Sequence, residues 1–141
     1  MKIELQRVRS MPKPLLPGIL YVSEEFGTAQ HLCACGCGAK IRTPLGPTEW
    51  QLEETKDGPT LHPSIGNWQQ PCRSHYWIFQ GTIKWSTPWS EKQILNGRRM
   101  EEQRREQYFE RRALEREHNR ELNPERKRRS LWAWVRSWFI D

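Results

Sequence analysis

The sequence predicts an α+β fold in which a small β-rich domain over residues 1–90 precedes C-terminal helices over 91–141. Two contrasts in composition predict this division. The first part holds nine of the ten prolines and eight of the nine glycines, which separate short apolar clusters as in strands joined by turns. The second part is a run of Glu, Arg and Gln that has no proline until Pro124, which is typical of an exposed helix.

Apolar runs between turn residues predict the strands. Ile3 and Leu5 alternate with polar residues, as in a half-buried strand. Further strands are predicted at 18–22, 29–33, 39–43, 50–53, 59–62, 76–79 and 82–85. The last two flank Gln80-Gly81 and give the clearest hairpin signal. Because the apolar content is only 35%, we expect a small core in which the eight tryptophans supply much of the buried area.

A charged helix is predicted over 91–122. Glu and Arg recur there at helical spacing, as at Glu101 and Arg105, and such pairs stabilise an exposed helix slightly. The net charge of +6 arises mostly in this half of the chain, since residues 91–130 carry thirteen basic and nine acidic groups. These acidic groups dilute the basic character and no base-reading motif is present, so no DNA or RNA partner is expected.

A short amphipathic helix is predicted over 130–140. Its apolar stripe includes Trp134, Trp138 and Phe139, and a basic run precedes it. This helix could fold back onto the domain, pair with a second copy in a homodimer, dock on a partner protein, or lie on a membrane surface. We expect these three aromatic residues to form its binding face.

Clustered cysteines and histidines predict a metal site. Six candidate ligands fall in two short segments of the chain: His31, Cys33, Cys35, Cys37, Cys72 and His75. Thiolates and imidazoles are the ligands that Zn²⁺ prefers, so Zn²⁺ is the expected cofactor. Cysteines on alternate residues bridge poorly as disulfides. The charged start of the chain lacks the apolar segment of a secretory signal, so a reducing, cytoplasmic location is expected.

The spacing leaves the ligand set open. The simplest closed zinc site takes Cys35, Cys37, Cys72 and His75, with Cys33 and His31 in reserve. A site with three protein ligands would instead keep one position for water and free a histidine for proton transfer. An iron–sulfur cluster is the main competitor, but it would use the four cysteines and leave the histidines without a role.

An ordered set of motifs over residues 16–90 resembles a known bacterial family. The motifs are Leu20-Tyr21-Val22-Ser23, the His31 to Gly38 run, Pro63-Ser64-Ile65, Cys72-x-Ser74-His75-Tyr76-Trp77-Ile78 and Ile83-x-Trp85. The family is a domain of unknown function, made of small Cys/His zinc proteins encoded in ubiquitin-like conjugation operons. The resemblance implies a zinc protein that serves this pathway, with the ubiquitin-like protein and its activating and conjugating enzymes as partners.

What the resemblance implies about activity is a zinc-dependent peptidase that processes or removes the modifier. Glu25 is then the expected general base for a metal-bound water, and Glu24 is the second choice. Ser64 and Ser74 are the expected oxyanion donors. Catalysis by Ser74 with the adjacent His75 is not expected, since neighbouring strand residues point to opposite faces. The alternatives are a non-catalytic zinc module that binds the modifier or its conjugating enzyme, and a nucleic-acid-binding zinc protein.

Overall fold

The structure is a computed structural model that describes residues 1–123 together with 132, 134 and 135. In this part of the chain, eight strands precede a long helix, which confirms the predicted α+β class. The elements are β1 (Glu4–Arg7), β2 (Ile19–Ser23), β3 (Thr28–Leu32), β4 (Lys40–Pro44), β5 (Gln51–Thr55), β6 (Gly58–Gly66), β7 (His75–Phe79), β8 (Thr82–Trp85) and α1 (Glu91–Leu122).

The strands form two four-stranded sheets, ordered β1-β2-β3-β4 and β5-β6-β7-β8. All pairs are antiparallel except β1 with β2, because the proline-rich segment between them crosses over instead of turning back. Buried apolar side chains of both sheets meet in one core: Ile3, Leu20, Val22, Ala29, Ile41, Leu61, Ile65, Tyr76, Ile78 and Ile83. Apolar side chains of the predicted strands therefore form this core.

The pairing of β6 with β7 is irregular. Leu61 pairs with Ile78 and Ile65 with Tyr76, so four steps along β6 lie opposite two steps along β7. Extra residues of this kind form a β-bulge, which bends a strand and redirects a side chain. Ser64 lies in this bulged stretch, immediately before the regular pairing resumes.

The helix α1 begins with a capping box. Ser90 Oγ accepts a hydrogen bond from the Gln93 main-chain N–H at 3.3 Å, and Gln93 Oε1 accepts one from the Ser90 N–H at 2.8 Å. Ile94, in the first turn, is buried. The chain divides into two compact units, Met1–Gly97 and Arg98–Asp141, so these first turns of α1 belong to the same unit as the sheets.

The predicted C-terminal helix lies mostly outside the described residues. Trp134 is helical and exposed, whereas Trp138 and Phe139 are not among the described residues. Their binding role therefore stays a prediction. No helix in the described part of the chain is long and apolar enough to cross a membrane.

Candidate active site and candidate metal centre

A serine and a histidine meet on the second sheet. Ser64 Oγ lies 2.9 Å from His75 Nε2. The bulge in β6 carries the serine, and the first residue of the neighbouring strand β7 is the histidine. His75 is 5% exposed and Ser64 is half-buried, so the hydroxyl can be reached from solvent while the imidazole is enclosed. A nucleophile within hydrogen-bond reach of a base is the arrangement that nucleophilic catalysis requires.

A main-chain carbonyl fixes the tautomer of His75. Its Nδ1 lies 2.9 Å from the carbonyl oxygen of Thr87. A carbonyl can only accept, so Nδ1 carries the proton and donates it. In the neutral imidazole Nε2 is then the bare nitrogen, which accepts the hydrogen bond from the Ser64 hydroxyl. The Thr87 carbonyl thus stands where an aspartate stands in Ser-His-Asp triads.

Two tryptophans enclose the His75 ring. The centroid of Trp68 lies 4.9 Å and that of Trp89 5.1 Å from the imidazole, both in edge geometry. The two indoles are stacked on each other at 5.6 Å. Gly66 makes this packing possible, because a Cβ at that position would collide with the Trp68 ring.

Four cysteines form a separate cluster. The sulfur atoms of Cys33, Cys35, Cys37 and Cys72 all lie within 4.8 Å of one another. The first three follow β3 of the first sheet, and Cys72 precedes β7 of the second. The intervening Gly36 and Gly38 have φ values of 85° and 81°, which let the chain fold around the sulfur atoms. This cluster can hold a metal ion.

The dimensions of the cluster fit a tetrahedral ion. The sulfur of Cys72 lies 3.9 Å from that of Cys33 and 3.8 Å from that of Cys37. Sulfur atoms bound tetrahedrally at a Zn–S distance of about 2.3 Å are separated by roughly 3.8 Å. Four thiolates also fill the four positions of such an ion and leave none for water.

The cluster differs from the expected ligand set. Cys33 is part of it, together with the expected Cys35, Cys37 and Cys72. In the described part of the chain, neither His75 nor His31 belongs to this group. The reason is strand geometry: Ser74 faces the cysteines, so the next residue, His75, points to the opposite side of the strand.

Ser74 supports the cysteine cluster. Its hydroxyl oxygen lies 3.1 Å from the sulfur of Cys33 and 3.4 Å from that of Cys72, and it accepts a hydrogen bond from Asn67 Nδ2 at 2.8 Å. Hydrogen bonding between Cys72 and Ser74, through the side chain and the main chain of the serine, lowers the pKa of the Cys72 thiol to about 6. Ser74 is thus placed to orient sulfur ligands, a role that metal sites commonly assign to neighbouring polar groups.

His31 is a buried, neutral core residue. Its Nε2 lies 2.7 Å from the hydroxyl of Tyr76, and the side chain is 0% exposed. Burial lowers the pKa of His31 to about 4. The histidine links β3 of one sheet to β7 of the other.

The two glutamates proposed as bases form exposed ion pairs. Glu25 Oε2 lies 3.1 Å from Arg9 Nε, and Glu24 Oε1 lies 3.1 Å from Arg7 Nε. About half of the Glu25 side chain is exposed, 51%, and 76% of that of Glu24. These contacts tie the β2–β3 turn to the end of β1 and to the residues that follow it.

Sequence reasoning missed the pairing of Ser64 with His75. Each residue was singled out, but His75 was assigned to the metal and Ser64 to an oxyanion. One available signal was that 59–62 and 76–79 are both predicted strands, and Ser64 and His75 lie at the ends of these runs that an antiparallel pairing brings together. The irregular pairing of β6 with β7 in this stretch has no such signature in the sequence.

Comparison with known families corrects the expected reaction class. The model of the family described as "Bacterial ubiquitination-like system serine protease (BubE)" matches residues 7–86, which is 80 of the 141 residues. No curated protein and no solved structure matches the chain. The expected zinc-dependent peptidase is wrong, because the family is one of serine proteases, and the base role of Glu25 falls with that mechanism. The expected ubiquitin-like pathway is confirmed, and the chain belongs to the family of bacterial ubiquitination-like system serine proteases.

Proposed function

We propose that this chain is a serine peptidase that trims or removes a bacterial ubiquitin-like modifier, with Ser64 as the nucleophile and His75 as the general base. The observation that carries the proposal is the hydrogen-bonded series from Ser64 Oγ through His75 to the Thr87 carbonyl, with both distances 2.9 Å. Family membership supports the serine class and the pathway.

The chemistry follows from this series. The Ser64 oxygen attacks the carbonyl carbon of the scissile bond while His75 Nε2 takes the hydroxyl proton. The imidazolium then gives that proton to the leaving amine, and an ester between Ser64 and the acyl part of the substrate remains. A water molecule, deprotonated by the same nitrogen, hydrolyses the ester and restores the Ser64 hydroxyl. The Thr87 carbonyl keeps the proton of Nδ1 in place throughout.

The cysteine cluster has a structural role in this proposal. Cys33, Cys35, Cys37 and Cys72 would hold Zn²⁺, since four thiols at these separations match a closed tetrahedral site. The bound ion supplies a cross-link between the two sheets. That cross-link lies one residue from the catalytic base, because Ser74 contacts two of the sulfur atoms and His75 follows it.

The outer face of the second sheet offers a surface for the substrate. Trp77 lies two residues from His75 on the same face of β7 and is half-buried. The centroid of its ring lies 5.4 Å from that of the His62 ring. Phe79 continues this row and is 47% exposed. Aromatic side chains on the strand face that carries His75 suit the binding of a peptide that lies across the sheet.

A serine-reactive fluorophosphonate tests the proposal. Ser64 oxygen should bond to phosphorus and release fluoride, and peptide mapping should locate the adduct on Ser64. Ser64→Ala should abolish labelling and the cleavage of a ubiquitin-like protein fused to a reporter, while folding and metal content stay unchanged. Binding of the modifier without cleavage by the wild-type protein would support the non-catalytic module instead.

A further inference from the structure

We propose that residues 87–97, which lie beyond the part of the chain matched by the family model, complete the active site by holding the His75 ring. This inference rests on the proposed function of Ser64 and His75. In it, Trp89 and Trp68 are positioning residues that act through the imidazole. The first turns of α1 hold Trp89 in place.

The contacts of His75 with this segment are direct. The segment supplies the Thr87 carbonyl that accepts the Nδ1 proton at 2.9 Å, and two residues later it supplies the indole of Trp89. The planes of Trp89 and the imidazole are inclined by 73°, and those of Trp68 and the imidazole by 62°. The imidazole therefore meets one ring edge-on from each tryptophan, and rotation about its side-chain bonds would require the stacked indoles to move.

The start of α1 packs against the indole of Trp89. Gly97 is the helical residue that faces Trp89, since a Cβ there would lie 2.8 Å from its Cζ3 atom. Ile94 is buried in the intervening turn, and Glu91 forms an ion pair of 2.7 Å with Arg73, two residues before His75. The helix start is thus attached to the domain at three points around the base.

The physical requirement behind this arrangement is orientation. The Ser64 hydroxyl can transfer its proton only if Nε2 is bare and points at the oxygen, and a misplacement of about 1 Å can reduce a rate roughly 100-fold. The Thr87 carbonyl selects the tautomer, and the indoles restrict the ring. If the indoles no longer hold the His75 ring, the rate of the chemical step should fall while substrate affinity stays unchanged.

Gly97→Ala in the full-length chain is the sharpest test. Alanine favours the helix, which offsets part of the cost of its methyl group's intrusion on Trp89, so the variant should remain folded, as should its matched control, Asn96→Ala, at the neighbouring exposed helical position. Its rate of fluorophosphonate labelling at Ser64 and its kcat should fall roughly 10-fold or more, with KM unchanged. Trp89→Ala should behave in the same way, and Trp89→Phe should recover most of the activity.

The outcomes separate this inference from the proposed function. If the wild-type protein is not labelled at Ser64, the proposed nucleophile is wrong and the inference falls with it. If Ser64 is labelled in the wild type, but Gly97→Ala and Trp89→Ala react at the wild-type rate, the positioning role is overturned and the nucleophile stands. The imidazole Nδ1–H resonance of His75 gives a second readout, which should broaden in Trp89→Ala and stay sharp in Phe26→Ala, an exposed aromatic on the β2–β3 turn.

Discussion

Removing the metal should destabilise the domain strongly and leave the chemistry intact. A metal ion bound by the four cysteines would link Cys37 to Cys72, which are 35 positions apart, and would therefore close a long loop between the two sheets. A covalent cross-link over a loop of about 35 residues lowers the conformational entropy of the unfolded chain by an amount worth about 4 kcal/mol at 25 °C. For a domain of this size, that corresponds to a decrease in Tm of roughly 15–30 °C.

The measurement is thermal unfolding with and without a chelator, with the zinc content determined in the same samples. Activity should be assayed at a temperature well below the Tm of the metal-free protein, where the domain is still folded. Because Ser64 and His75 do not touch the cluster, peptide cleavage should persist there. Loss of cleavage by a folded, metal-free protein would refute the separation of the two sites. A Tm that barely changes would refute the cross-link.

The remaining predictions concern the dyad, the substrate face and the core. His75→Gln should lower kcat by at least about 1,000-fold in the cleavage assay, because the proton of Ser64 then has no acceptor of suitable basicity. Trp77→Ala should raise KM several-fold at nearly constant kcat in steady-state kinetics, since its half-buried side chain lies on the face of β7 that carries His75. Tyr76→Phe should lower the free energy of unfolding by about 1–3 kcal/mol in urea titrations, because it leaves His31 Nε2 buried without its partner.

A specific experimental result would contradict each of these three predictions. Substantial activity in His75→Gln would remove the histidine from the proton path. A fall in kcat alone for Trp77→Ala would place that ring in the chemistry and not in binding. Unchanged stability of Tyr76→Phe would mean that water reaches His31.

The change of reaction class rests on the family match, and the positions of two histidines agree with it. The metallopeptidase hypothesis treated the surplus of cysteine and histidine ligands as a sign of an open zinc site. In the structure, His75 contacts Ser64 and His31 contacts Tyr76, so among the described residues the cluster holds the four cysteines and neither histidine. The surplus histidines serve two separate purposes, one at the dyad and one in the core.

The sequence by itself determined the class of the fold and the existence of the cysteine site. Strand periods, glycine and proline positions and the spacing of charges along a helix are local properties, and each acts within a few residues of the chain. For this reason the predicted strands and the helix over 91–122 agree closely with the elements observed. The four cysteines were identifiable because their side-chain chemistry suits a metal wherever the chain brings them together.

Only the tertiary structure decided which side chains work together. The irregular pairing of β6 with β7 brings Ser64 to His75, and the alternation of β7 separates Ser74, at the cysteines, from His75, at the serine. The tautomer of that base depends on the Thr87 carbonyl, a main-chain group that residue types cannot reveal. These choices come from register, bulges and packing between distant segments, and the spacing of residues along the chain does not encode them locally.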